Sequence, residues 1–241
     1  MPGSAPCATC EAMNDATVHL ALATAFFLAS HIGISSTPLR SALVRALGER
    51  PYLGLYSLVA TGGLVWMAVA YAGAPVQTLW SPSGVLRYVP LVVMPFALIL
   101  LVAGLTIGNP TLVSQEGALR REEPARGILR VTRHPVQWAL ALWAAAHLLA
   151  NGDVASLLFF GGLLLLALAG SYLIDAKKAA TLGEEWAAFA ARTSTLPFAA
   201  IVAGRNRLRL GEIGWWRVGL ALVAYAGLLV VHSYLFGVAP Y

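Results

Sequence analysis

Six apolar runs, each near the length a helix needs to cross a bilayer, leave this chain almost no soluble alternative. They are Thr17–Ser36, Tyr52–Ala72, Leu86–Ile107, Pro135–Ala150, Val154–Ile174 and Trp215–Phe236. Crossing about 30 Å of hydrocarbon at about 1.5 Å per residue takes roughly 20 residues. The fourth run is the shortest, and Asn151-Gly152-Asp153 turns so tightly that the fourth and fifth helices are expected to form a hairpin. Composition agrees: 59% of the 241 residues are hydrophobic and 11% are charged, whereas a soluble domain is roughly a quarter charged. The expected fold class is an all-α integral membrane protein with about six transmembrane helices and short interfacial helices. Residues 1–16 read as a flexible N-terminal tail and 17–241 as a single membrane domain.

The net charge of +5 would suit a nucleic-acid partner if its sources were clustered on a soluble face, but they sort by loop. Arg40, Arg45 and Arg50 lie between the first two helices; Arg120, Arg121, Arg126, Arg130 and Arg133 lie between the third and fourth. Lys177, Lys178, Arg192, Arg205, Arg207 and Arg209 lie between the last two, so alternate loops hold 14 of the 16 basic residues. The positive-inside rule then places those loops in the cytoplasm and both termini outside it. The expected location is a bacterial inner membrane, with membrane lipids as partners and no nucleic acid.

Local signals fill in the loops. Thr37-Pro38 reads as an N-cap with proline at the first helical position, opening a helix over Pro38–Leu47 that Gly48 ends. Leu39, Leu43, Ala46 and Leu47 share one face of it, so it is expected to lie flat at the interface. The loop Gly108–Arg133 is too polar for lipid and long enough to be functional. Ala179–Arg192 spaces Leu182, Trp186, Phe189 and Ala190 as a second interfacial helix, ended by Pro197. The tail carries Glu11 and Asp15 and no basic segment, unlike a cleavable signal peptide. Its lone CxxC, Cys7 and Cys10, lacks the strand-to-helix context or second ligand pair that redox or metal chemistry needs.

Ionisable groups inside lipid are costly, so each is a functional candidate. Asp153 and Asp175 fall at helix ends, where water or headgroups are expected to reach them. The histidines are His19, His31, His134, His147 and His232. A neutral imidazole survives in an apolar setting and can ligate iron, and a haem needs one or two such ligands between apolar walls. Each histidine could equally hydrogen-bond a backbone carbonyl. No CxxCH occurs, so only a non-covalent haem is compatible with the chain.

Two ordered blocks carry a resemblance. Ser30-His31, Pro38-Leu39-Arg40, Leu47-Gly48-Glu49-Arg50, Tyr52 and Leu55-Tyr56-Ser57-Leu58 form the first. The second runs Gly127-Ile128-Leu129-Arg130-Val131-Thr132-Arg133-His134-Pro135, then Trp143, His147 and Asn151-Gly152-Asp153. Together they resemble the NnrU family, to which 15-cis-zeta-carotene isomerases belong. That resemblance implies non-covalent haem b with His31 and His147 as axial ligands and catalytic residues. It also implies a hydrophobic polyene substrate isomerised from cis to trans. Arg133 and His134, by their place at the surface end of the fourth helix, read instead as part of a headgroup or cofactor clamp. Many bacterial relatives are associated instead with denitrification and nitric-oxide metabolism, which leaves a non-catalytic haem-binding partner as an alternative.

A second resemblance competes. Arg133-His134-Pro135, Asp175, Leu182-Gly183-Glu184-Glu185-Trp186, Phe189 and Pro197 look like the cofactor half of membrane isoprenylcysteine and phospholipid methyltransferases, which use S-adenosylmethionine. Gln137, Ala139 and Asp175-Ala176 depart from that pattern. For the haem reading, His31 and His147 are expected on two antiparallel packed helices, at depths that differ by about 11 Å. Small residues beside His147, Ala144 to Ala146, are expected either to leave room for the macrocycle or to pack helices closely.

Overall fold

The computed structural model describes residues 8–34 and 37–240, with side chains from residue 14 onward. Among them, helix α1 (Ala8–Ala29) runs on into a π turn (Ser30–Ile34), and α2 (Pro38–Leu47) and α3 (Glu49–Ala72) follow. A 3-10 turn (Leu86–Tyr88) opens α4 (Val89–Thr106). Two more, Glu116–Arg120 and Gly127–Arg130, cross the loop to α5 (Pro135–Asn151). Then come α6 (Val154–Arg192), α7 (Ala199–Val202), a 3-10 turn (Leu210–Ile213) and α8 (Trp215–Phe236). Helix α1 begins at Ala8, so residues 8–16, expected in the tail, are helical. Cys7 and the side chain of Cys10 lie outside the described residues, and with them the CxxC reading.

Among the described residues, five helices are long and apolar enough to cross a membrane: Asn14–Ile34, Glu49–Ala72, Leu86–Thr106, Val154–Arg192 and Trp215–Phe236. The sixth expected span, α5, has 17 residues, about 25 Å of helix, and packs along α4 and α6. Apolar side chains point outward in numbers no water-soluble surface carries: Leu58 is 72% exposed, Val223 70% and Val230 73%. Along α8 only Ala221 is buried. An outward apolar belt around a sparsely buried interior is what lipid, rather than water, permits. The chain is an all-α membrane protein.

Helix caps behave as their residues dictate. Thr37 Oγ1 accepts the Leu39 N–H at 3.3 Å, and Gly48 ends α2 with φ 85°. Asp153, expected near water, is instead buried at the start of α6, where Oδ1 accepts the Ser156 N–H at 2.9 Å and Oδ2 its hydroxyl at 2.6 Å. The break expected after Ile174 falls later: α6 runs on through Asp175 to Gly183, whose φ of 52° and ψ of −124° are not helical, and a second helical stretch continues from there to Arg192.

The hairpin between α5 and α6 is pinned from outside. Gly152 is left-handed, with φ 71°, and its carbonyl accepts the Leu79 and Trp80 N–H groups at 2.8 and 3.0 Å. A Cβ at Gly152 would meet the Trp80 carbonyl oxygen at 2.3 Å. Gly152→Ala therefore combines a strained φ with a backbone collision and is expected to cost at least about 2 kcal/mol. The measurement is the thermal midpoint in detergent, and an unchanged midpoint would mean that the Trp80 loop does not clamp the hairpin.

At the arginine-rich end, several of the loop guanidinium groups tie the loops together. Arg130, 3% exposed, donates to Glu212 through Nε at 2.7 Å and Nη2 at 3.1 Å, and through Nη1 to Asn206 at 2.6 Å. Arg130 and the Gly127 N–H hold the Glu212 carboxyl down to about 2. Arg121 donates to the Ile107 carbonyl at 2.6 Å and Arg205 to that of Ala191 at 2.6 Å, satisfying chain ends that would otherwise be orphaned. Beneath them, Leu119, Ile128 and Leu129 pack with Trp186 and Phe189. The loop Gly108–Arg133 is thus an ordered cover, as its length and polarity predict.

Candidate functional site

Helix α6 decides where a ligand can go. It packs against both α1 and α5, and α1 packs further on α3, while α4 packs on α5. The expected direct packing of the first and fourth spans does not occur, because α6 keeps α1 and α5 apart. Between them lies a cavity of about 520 Å³ lined from α1, α3, α5 and α6, within the size range of small-molecule sites. Its walls are apolar, with Phe27, Leu64, Leu140, Trp143, Phe159 and Leu163 among them, interrupted by His31, Gln137 and Lys177.

His31 sits in the π turn that ends α1, a distortion that recurs at functional sites. Its Nδ1–H donates to the Phe27 carbonyl at 2.8 Å, which makes Nε2 the lone-pair nitrogen of the neutral ring. Phe27 lies 4.2 Å away, centroid to centroid, and Tyr56 5.8 Å. His147 makes the same kind of bond, Nδ1–H to the Trp143 carbonyl at 2.8 Å, but does not line the cavity. It stands one layer back, stacked on Phe160 at 5.3 Å and 5.5 Å from the Trp143 ring. Ala144 and Ala146 are buried, and neither lines the cavity. Close helix packing, rather than room for a macrocycle, accounts for them.

Arg133 and His134, expected as a surface clamp, are not at the surface: His134 is 0% exposed. The reason is Asp175 on α6. His134 Nε2–H donates to its Oδ1 at 2.7 Å, and Arg133 donates through Nε at 2.9 Å and Nη2 at 2.5 Å. Thr195 Oγ1 completes the group, donating to Asp175 at 2.8 Å and accepting from Arg133 at 2.8 Å. This cluster partners Arg133, and neither Arg133 nor His134 lines the cavity. Nδ1 of His134 is buried without a hydrogen-bond partner among the described residues. A smaller cavity of about 330 Å³ lies under the loop, where Arg120 pairs Glu185 at 3.5 Å; Arg133 and His134 do not line it either.

The remaining histidines are accounted for by local bonds. His19 Nε2 accepts the Trp66 indole N–H at 2.7 Å, and His232 Nδ1–H donates to the Val238 carbonyl at 2.8 Å. Among the described residues no group of three or more His, Cys, Asp or Glu could hold a metal ion. A haem asks for less: one or two imidazoles, apolar walls and a place for its charged edge. The cavity offers His31, those walls and Lys177, so the residues present fit the group from the His31 side. Sequence reasoning had set Gln137 aside as a departure from a methyltransferase pattern and Lys177 as one of many loop cations. Their signal is positional: each lies within a turn of the Arg133-His134-Asp175 cluster.

An all-α membrane protein with a ligand-sized apolar chamber between four helices is the class this architecture defines. The chain belongs to the NnrU protein family, whose profile matches residues 19–240. It is 28% identical over 207 residues to the chloroplastic 15-cis-zeta-carotene isomerase of Zea mays, which covers 79% of this chain and 52% of that protein. The Arabidopsis thaliana protein of the same name is 38% identical over 82 residues, 34% of this chain and 22% of its own length. The chain thus spans about half the length of the Zea mays relative. No solved structure matches it.

Proposed function

We propose that this protein binds haem b non-covalently and isomerises a cis double bond of a carotenoid-like polyene to trans. The observation that carries the reading is the apolar cavity of about 520 Å³ with the His31 imidazole in its wall, in a chain similar to 15-cis-zeta-carotene isomerases. His31 holds the haem directly, its ring fixed by the Phe27 carbonyl. His147, one layer back, would be the second ligand, reaching from behind Trp143 and leaving the iron again for a double bond to approach it. Bound haem would supply an iron that exchanges electron density with a double bond and so lowers its order. Leu64, Leu140 and Leu163 keep water from the chain and give it dispersion contacts. A pocket shaped nearer to the trans than to the cis polyene favours the twisted geometry between them. Isomerisation consumes no cosubstrate.

The test is conversion of a 15-cis carotenoid in cells making it, followed by chromatography of the pigments. Wild-type protein is expected to convert it and His31→Ala to leave it unchanged. Haem-loaded wild-type protein that leaves the carotenoid unchanged would overturn the isomerase reading in favour of a non-catalytic haem-binding partner.

A further inference from the structure

Three polar side chains interrupt the cavity wall, and the fold provides for them unequally. His31 is held by the Phe27 carbonyl. Lys177, half-buried, lines the cavity, yet among the described residues its ammonium makes no hydrogen bond or ion pair. Its neighbour Lys178 does, donating to Glu116 at 2.5 Å, so the one acid that acts on Lys177 electrostatically is already engaged. Arg40 adds positive potential at the same place, and its own partner, Glu49, is 3.7 Å from it. The third is Gln137, whose Oε1 is buried without a hydrogen-bond partner among the described residues. Rotating its amide would offer an N–H in the same position.

A hydrocarbon alone in this cavity, with no acid beside it, would leave the Gln137 amide oxygen without a hydrogen-bond partner and the half-buried Lys177 ammonium without a counter-charge, which is costly. An occupant with an acid at one end removes both penalties. Lysine suits this role, since its four-carbon stem can lie along apolar walls while its ammonium reaches an acid. We propose that the cavity takes an apolar ligand bearing a carboxylate, with the carboxylate against Lys177 and the Gln137 amide as its second polar contact. The inference rests on reading this cavity as the ligand site and adds the ligand's chemistry and direction. Haem b, with two carboxylates on one edge, has that chemistry; so does a linear apolar acid.

The experiment is quenching of tryptophan fluorescence in the full chain, in detergent, by metal-free protoporphyrin IX and by its dimethyl ester. Without iron, no imidazole bond contributes. The acid is expected to bind about tenfold more tightly than the ester, the scale of one charged hydrogen bond. Lys177→Met should bring the acid down to the ester's affinity, Lys177→Arg should keep the preference, and Gln137→Leu should reduce it. Equal binding of acid and ester by wild-type protein overturns the proposal while leaving the haem reading intact, and needs no variant to fold. If neither porphyrin binds but retinoic acid binds more tightly than its methyl ester, and only with Lys177 present, the proposal stands and the haem reading falls. Indifference to the acid with both ligand pairs overturns the proposal outright.

Discussion

Asp175→Ala is expected to destabilise the protein by about 3–5 kcal/mol, the scale for removing one partner of a buried ion pair. Three side chains converge on this carboxylate from two parts of the chain: the consecutive Arg133 and His134 at the start of α5, and Thr195 from beyond α6. Without it, the Arg133 charge has only the Thr195 hydroxyl beside it, and His134, fully buried, keeps neither nitrogen bonded through its ring. The backbone bonds from Arg133 to Ser194 and from Phe198 to Val131 are then the main ties between the segments. Asp175→Asn, which retains an acceptor but not the charge, should lose less. Thermal unfolding in detergent measures both, and an Asp175→Ala midpoint equal to wild type would show that the cluster does not hold α5 to α6. Haem content per folded chain should change little, because neither Arg133 nor His134 lines the cavity.

Much of this architecture was legible in the chain. Apolar length marked the spans, and Thr37-Pro38 with Gly48 fixed α2 to the residue. Asn151-Gly152-Asp153 announced the hairpin. What failed did so for tertiary reasons. Nothing local tells a helix to continue through Asp175-Ala176-Lys177-Lys178; it does so because Asp175 and Lys178 find partners in other loops. Positive charge marked the loops but not their contacts: Arg130 and Arg121 are inside the protein's own hydrogen-bond network. Periodicity could suggest that His31 and His147 face a common space, but only the interposition of α6 decides that His31 lines it and His147 stands behind Trp143. Gln137 and Lys177 were invisible as a pair because they come from different helices, about 40 residues apart in sequence.

The two histidines should differ when replaced. His31→Ala removes the imidazole from the cavity wall and is expected to lower haem content at least about tenfold, since even outer-shell changes around bound metals cost about 10–100-fold. His147→Ala, one layer back, is expected to retain haem on His31 and shift it from a six-coordinate low-spin to a five-coordinate high-spin spectrum. His19→Ala and His232→Ala, whose rings bond Trp66 and the Val238 carbonyl, should leave the spectrum as it is. A low-spin spectrum unchanged in His147→Ala would remove His147 from the ligand pair and leave it as support for Trp143.

The most direct measurement is the absorption spectrum and pyridine haemochrome of wild-type protein purified in mild detergent from haem-replete cells. The predicted result is a Soret band with about one haem b per chain, released by acid extraction as a non-covalent haem should be. Folded protein that purifies colourless from such cells, and stays colourless when haem is added, would contradict the account.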